Sequence, residues 1–180
     1  MKTVEQLERM AANNAWSNHR IHRACAALEQ AEYEARRTSF FPSIPKTLNH
    51  ILIVDWYYLD ALERGGKGRR LFDDEMPFVE RTALAEAQRA ADLRLLAFVR
   101  GLRDEELAAD VALERADHIQ TESVVDVLMH LFVHQIHHRG QVHAMLAGTK
   151  VKPPQLDEFF LREELPLREQ ELREIGLPLV

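Results

Sequence analysis

Steps of three and four residues along the start of the chain meet Val4, Leu7, Ala11, Asn14, Asn18, Ile21, Cys25 and Leu28. That spacing is the stripe of an amphipathic helix with one face turned to a core. It predicts a long first helix, opened at Thr3 by the capping pattern that Thr3 makes with Glu5 and Gln6. Two asparagines, Asn14 and Asn18, interrupt the stripe at its centre. Either the helix middle is partly exposed and the amides bond to nearby backbone, or the core holds a polar site at that level.

The stretch FFPSIPKTL breaks this pattern, and Ser43 with Pro45 starts a second helix, LNHILIVDWYYLDALE. It is apolar on nearly every side, so it should be the most buried. Gly65, Gly66 and Gly68 end it, and a polar loop runs through Pro77. A third helix is expected near Thr82, with Leu84, Ala87, Ala91, Leu95, Phe98 and Leu102 inward. Residues 103 to 120 are mixed, and VALERADHIQ fits a short strand pair or a loop. Ser123 with Asp126 caps a fourth helix, SVVDVLMHLFVHQIHHRGQVHAML, which stops at Gly148. Asp157 is expected to cap a final segment that Pro166 kinks or divides. Four principal helices predict an all-α fold, an antiparallel four-helix bundle with a short extra C-terminal helical segment, as one domain over residues 1–180.

Composition narrows the class without changing that picture. With 46% hydrophobic and 29% charged residues, the chain suits one globular domain with a sizeable core. No apolar run approaches the ~18 residues that span a bilayer, so no membrane role is expected. The opening MKTVEQLERM is charged and amphipathic from the start, unlike a secretory signal. The single cysteine, Cys25, excludes an internal disulfide and fits a reducing cytoplasm. On the inner stripe it reads as a small buried hydrophobe. A formal charge of −6 argues against nucleic acid as a partner. Trp16, Trp56, Tyr57 and Tyr58 are expected in the core or at a dimer contact, and REELPLREQELRE as a solvated face.

The nine histidines carry the chemistry. On the fourth helix the inward stripe is Val127, Leu131, His134, His138, Val142 and Met145. Two imidazoles one turn apart, with Cβ atoms ~5–6 Å from each other, must be satisfied on an apolar face. A divalent metal does this, and zinc or nickel suits neutral imidazole; hydrogen-bonded core histidines are the alternative. Two ligands make a poor site, and His50, within the aliphatic run of the second helix, is the best third candidate. His130 and His138 are separated by a rise of ~12 Å, too far to share one ion. The pair is therefore 130/134 or 134/138. His130 lies about 40° round from His134, so periodicity favours 134/138. His130 is left beside the site or at a helix contact, and His137 points elsewhere. His19 and His22 are expected to face solvent.

HLFVHQIHHRGQVHAML resembles the signature of the DinB/YfiT-like family, a histidine, three residues, then His-Arg-Gly-Gln. NAWSNHR resembles that family's first-helix element, SFFPSIPKTLNHIL its second-helix entry, and the likeness extends to PPQLDEFF. The resemblance implies a four-helix bundle, commonly a homodimer, in which three histidines present a divalent metal to a pocket. By matching position the ligands are His50, His134 and His138. Related proteins include metal-dependent transferases of low-molecular-weight thiols and a thiol-dependent isomerase, which implies a small-molecule substrate, a thiol among the candidates. The alternative is a metal- or ligand-binding protein without turnover.

Three histidines leave a coordination position open, as in catalytic rather than structural zinc sites. Asn14 and Asn18 are candidates for polar groups of the pocket, and Asp55 and His130 for groups behind the ligands. Asp55 is about 140° round from His50, and an ion pair with an arginine on another helix is its simpler reading. Arg139 and Gln141 belong to the motif, Arg139 in a structural ion pair or on a substrate anion.

Overall fold

The computed structural model describes residues 2–177. Among these the chain forms α1 (Thr3–Ala26), α2 (Gln30–Glu34), α3 (Ile44–Leu62), α4 (Arg81–Gly101), β1 (Asp110–Glu114), β2 (Ile119–Ser123), α5 (Val124–Ala147) and α6 (Leu165–Glu174). The four long helices pack as a bundle, with α1 against α4 and α5, and α3 against α5 and α4. Side chains that meet across them set their directions. Glu8 meets Arg100 and Asn18 meets Asp92, so α1 and α4 run antiparallel. His50 meets His134 and Tyr58 meets His130, so α3 and α5 do the same. By contrast Asp55 meets Gln88 and Glu63 meets Arg94, which makes α3 and α4 parallel. The connecting segment allows this by running back along α3. Asp60 Oδ2 accepts from Lys67 and Gly68 N–H at its start, and Asn49 Oδ1 accepts from Phe78 N–H at its end.

As the even apolarity of its sequence predicts, α3 is the most buried helix, with only Lys46, His50, Trp56 and Ala61 short of full burial. Its Leu52 and Leu59 share the core with Trp16 of α1 and Leu131 and Phe132 of α5, each shielded from solvent. Trp16, Tyr57 and Tyr58 are core residues, and Trp56 packs at its edge. Cys25 is buried, and burial pushes its thiol up to about 12, so it is a hydrophobe at neutral pH. No described helix is long and apolar enough to cross a membrane.

Several local expectations are corrected. Lys2, not Thr3, is the N-cap of α1: its N–H donates to Glu5 Oε2 at 3.1 Å, and Asp104 Oδ1 accepts from Val4 N–H at 3.0 Å. The first helix stops at Ala26, and the short α2 buries Tyr33. Residues 110–123 form the antiparallel pair, Val111 facing Glu122 and Leu113 facing Gln120. Val111 and Leu113 point inward and alternate with exposed neighbours, the half-buried strand pattern. Pro166 does not kink a helix. It lies in the first turn of α6, where its missing N–H removes no helical bond. The acidic final stretch is only partly solvated: Leu172 and Arg168 are buried, and Glu171 Oε2 accepts from Trp16 Nε1 at 2.9 Å and Arg20 Nε at 2.6 Å.

Candidate metal centre

One imidazole of α3 and two of α5 converge between these antiparallel helices. The Nε2 atoms of His50 and His134 are 3.0 Å apart. One ring nitrogen from each of His50, His134 and His138 falls within 4.8 Å of the others, a group among the described residues that could hold a metal ion. Tetrahedral ligands at zinc distances sit about 3.3 Å from each other, so small ring adjustments bring all three onto one ion. Ring centroids of 5.0, 4.7 and 4.4 Å for the three pairs show that none is turned away.

The protonation state suits this. Burial, with His138 beside it, lowers His50 to about 4. Burial also lowers His134 to about 3, reinforced by His138 and His50. His138 is lowered too, by burial first, against a hydrogen bond to Gln141 that raises it. All three rings are therefore neutral at pH 7, the ligating form. His134 Nδ1 is buried without a hydrogen-bond partner, which identifies its ring as one the surrounding protein does not satisfy by itself.

Gln141, noted in sequence only as part of the motif, orients His138. Its Oε1 lies 2.9 Å from His138 Nδ1, and its Nε2 lies 3.0 Å from His137 Nε2. The amide thus accepts from His138 Nδ1–H and leaves Nε2 free for a metal. The spacing of three, one turn on from a ligand, is the signal that finds it. Phe41 was not anticipated either. It packs at 4.4 Å from His50 and 5.6 Å from His138, and Phe40 approaches His138 at 6.3 Å. Beside His50 a cavity of about 320 Å³ is lined by Phe41, Lys46, Ile53, Phe72 and Glu75.

The other candidates lie elsewhere. His130 is exposed, against Tyr58 at 5.2 Å and His134 at 6.4 Å, and outside the ligating group. Asn14, Asn18 and Asp55 share no hydrogen bond with the three histidines among the described residues. They belong to a closed buried ring built from all four long helices. Asp55 Oδ2 accepts from Gln88 and Gln135. Gln135 Oε1 accepts from Arg139, which also donates to Asn14 and Asn18. Both asparagines donate to Asp92 Oδ1, at 3.1 and 2.8 Å, and Gln88 Nε2 closes the ring there at 3.2 Å. The core does hold a polar site at the level of the asparagines, but it is not the histidine pocket. Asp55 meets two glutamines instead of an arginine. His19 and His22 are half-buried rather than solvent-facing, and line a cavity between α1 and α4.

Fold and site together define a helical bundle that presents a histidine triad beside an open pocket. The DinB family model matches residues 1–171, and the chain belongs to that family. It is 26% identical over 143 residues to Protein DinB of Bacillus subtilis (strain 168), covering 74% of this chain and 80% of that relative. A solved DinB-like protein from Bacillus cereus ATCC 10987 has the same fold, with a TM-score of 0.60 and 14% identity over 78% of this chain and 90% of that one.

Proposed function

We propose that this protein is a metal-dependent enzyme acting on a small molecule, with His50, His134 and His138 holding one divalent cation, zinc or nickel. The convergence of three neutral imidazoles beside an open cavity carries this reading. No fourth acidic, cysteine or histidine ligand joins the group among the described residues, which leaves room for a substrate atom. A cation held there supplies a Lewis acid that lowers the pKa of a bound thiol or water.

The chain's own residues do the rest. Gln141 holds the His138 tautomer, and Phe41 packs an apolar ring against His50 and His138. Lys46, one turn before His50, is the cation available to an acidic substrate group. A low-molecular-weight thiol is the favoured substrate because zinc and nickel bind a thiolate well at an open position and because related family members act on thiols. Metal analysis of the native protein beside His134→Ala, followed by turnover of small thiols with electrophiles, tests the reading. Expected are near-stoichiometric metal in the native chain, its loss in the variant, and metal-dependent thiol consumption. Bound metal without turnover of any thiol or hydrolysable ester would favour a binding role.

A further inference from the structure

A helix on the surface of a bundle ordinarily turns charged side chains to solvent. The outer face of α4 does so with Glu86, Arg89, Arg94 and Arg100. The outer face of α5 does not. Between Asp126 and Lys150 the only Lys, Arg, Asp or Glu is Arg139, and that side chain is buried. The exposed positions instead include Met129, Val133, Ile136, Gly140, Ala144 and Ala147, in steps of three and four residues. Met129 is 47%, Val133 61% and Ile136 52% exposed. A continuous uncharged stripe of that period, about five turns long, is what one helix presents to another.

Gly140 is an independent sign that something approaches this face. It lies inside α5, where glycine costs about 1 kcal/mol relative to alanine. Its φ is outside the left-handed region, and a Cβ there would meet neither a side chain nor another segment within 4 Å among the described residues. Nothing among those residues asks for a glycine, whereas a close approach from outside does.

The stripe is complementary to itself. Its first half is bulky, with Met129, Val133 and Ile136, and its second half is small, with Gly140, Ala144 and Ala147. A parallel pair would set bulky on bulky and leave a gap between the small halves. An antiparallel pair about a two-fold axis beside residue 138 sets Ile136 on the partner's Gly140, Val133 on its Ala144 and Met129 on its Ala147. The same register brings Asp126 opposite the partner's Lys150. Lys150 is free to turn there, since its contact with Glu29 is 3.9 Å long and both side chains are largely exposed. We propose that this face of α5 is a self-association surface, on which a second copy of the chain packs its own α5 antiparallel in that register. The margins carry Asp126, His130 and His137, not the lysines and arginines with which an amphipathic helix lies on a lipid surface. His134 and His138 lie about 120° and 160° round α5 from the middle of the stripe, so the contact leaves the histidine centre open and does not depend on metal.

Sedimentation velocity of the full chain at low salt, from about 1 to 100 µM, tests this. It is read on the wild type, Ile136→Glu, Gly140→Leu, Asp126→Lys, Lys150→Glu, the double reversal Asp126→Lys/Lys150→Glu, and His134→Ala. Expected is a wild-type dimer, with Ile136→Glu and Gly140→Leu monomeric and unchanged in helical circular dichroism, because each new side chain starts in open space. Each single reversal should weaken the dimer about tenfold, since the two-fold axis repeats the repulsion, and the double reversal should recover it. His134→Ala should remain dimeric. A wild-type monomer throughout, including one that instead binds phosphatidylcholine vesicles, overturns the proposal. So does a dimer that survives Gly140→Leu, a double reversal no tighter than the single ones, or a dimer lost in His134→Ala.

Discussion

His138 Nδ1 donates to Gln141 Oε1 at 2.9 Å along one face of α5, while Gln141 Nε2 faces His137. With a metal on His138 Nε2 the ring proton sits on Nδ1, and Gln141 Oε1 is the acceptor that holds it there. Removing such an outer partner typically weakens metal binding by about 10–100-fold. Gln141→Ala should show that loss in a chelator competition with unchanged helical circular dichroism, and Gln141→Glu, which keeps the acceptor, should not. Equal affinity for the alanine variant would show that packing alone orients the ring.

The buried ring contains two carboxylates and one guanidinium, and its charge balance predicts a shared proton. Burial, and then the neighbouring Asp55, raises Asp92 to about 8, whereas Asp55 is raised by burial to about 6. Arg139 is lowered by burial to about 10 and stays charged at pH 7. One ionised and one protonated carboxyl then balance it. Asp55→Asn or Asp92→Asn alone should cost only about 1 kcal/mol, because the remaining carboxyl ionises. The double variant leaves Arg139 uncompensated and should cost about 3–5 kcal/mol. Urea denaturation of the four proteins measures this, and additive costs would refute the shared proton.

The same ring has a signed pH dependence. A carboxyl with a raised folded-state pKa keeps its proton after the unfolded chain has released it. Its stabilising contribution is complete below 3.8 and decays as pH rises, until the folded carboxyl ionises at about 8. The melting temperature of Asp92→Asn should therefore rise relative to wild type between pH 6 and pH 8.5. A constant difference across that range would mean Asp92 is ionised throughout.

What could be seen in the sequence follows from what periodicity encodes. His134 and His138 stood out because imidazoles on an apolar stripe violate the pattern of their own helix, and His50 because it breaks an aliphatic run. Asn14 and Asn18 broke their stripe equally clearly, yet their partners were hidden. Asp92 and Gln88 lie on a helix whose apolar stripe marks the inward face and makes its charged and polar positions read as the opposite one, and Asp55 and Arg139 invite a direct ion pair that Gln135 in fact mediates. The hairpin stayed ambiguous because only Val111 and Leu113 face the core, too few for an alternation to declare itself. The short α2 has a single buried anchor, Tyr33, and five residues carry almost no helical period. Glu171 read as surface charge because Trp16 and Arg20 are far from it in sequence.

Glu171 ties α6 to α1 through three donors: Trp16 Nε1, Arg20 Nε and Arg23. The three donors hold its carboxyl below the usual range, although burial opposes them. Glu171→Gln keeps the shape but loses charge assistance, and should cost about 1–2 kcal/mol. The variant should also change Trp16 emission, since the indole loses its charged acceptor. A stability loss without a spectral change would place the effect outside this contact.

Metal should stabilise the fold, since unfolding separates His50 from the pair on α5. For free zinc at 100 times its dissociation constant, linkage gives about 2.7 kcal/mol. In a chain of this size that is roughly 5–10 °C in melting temperature. Protein stripped with EDTA should recover this shift on adding zinc, and His50→Ala and His134→Ala should not. His130→Ala separates the two possible ligand pairs on α5. Its ring is exposed and 6.4 Å from that of His134, so its removal should leave the shift intact. A shift lost in His130→Ala but kept in His138→Ala would move the site one turn back along α5.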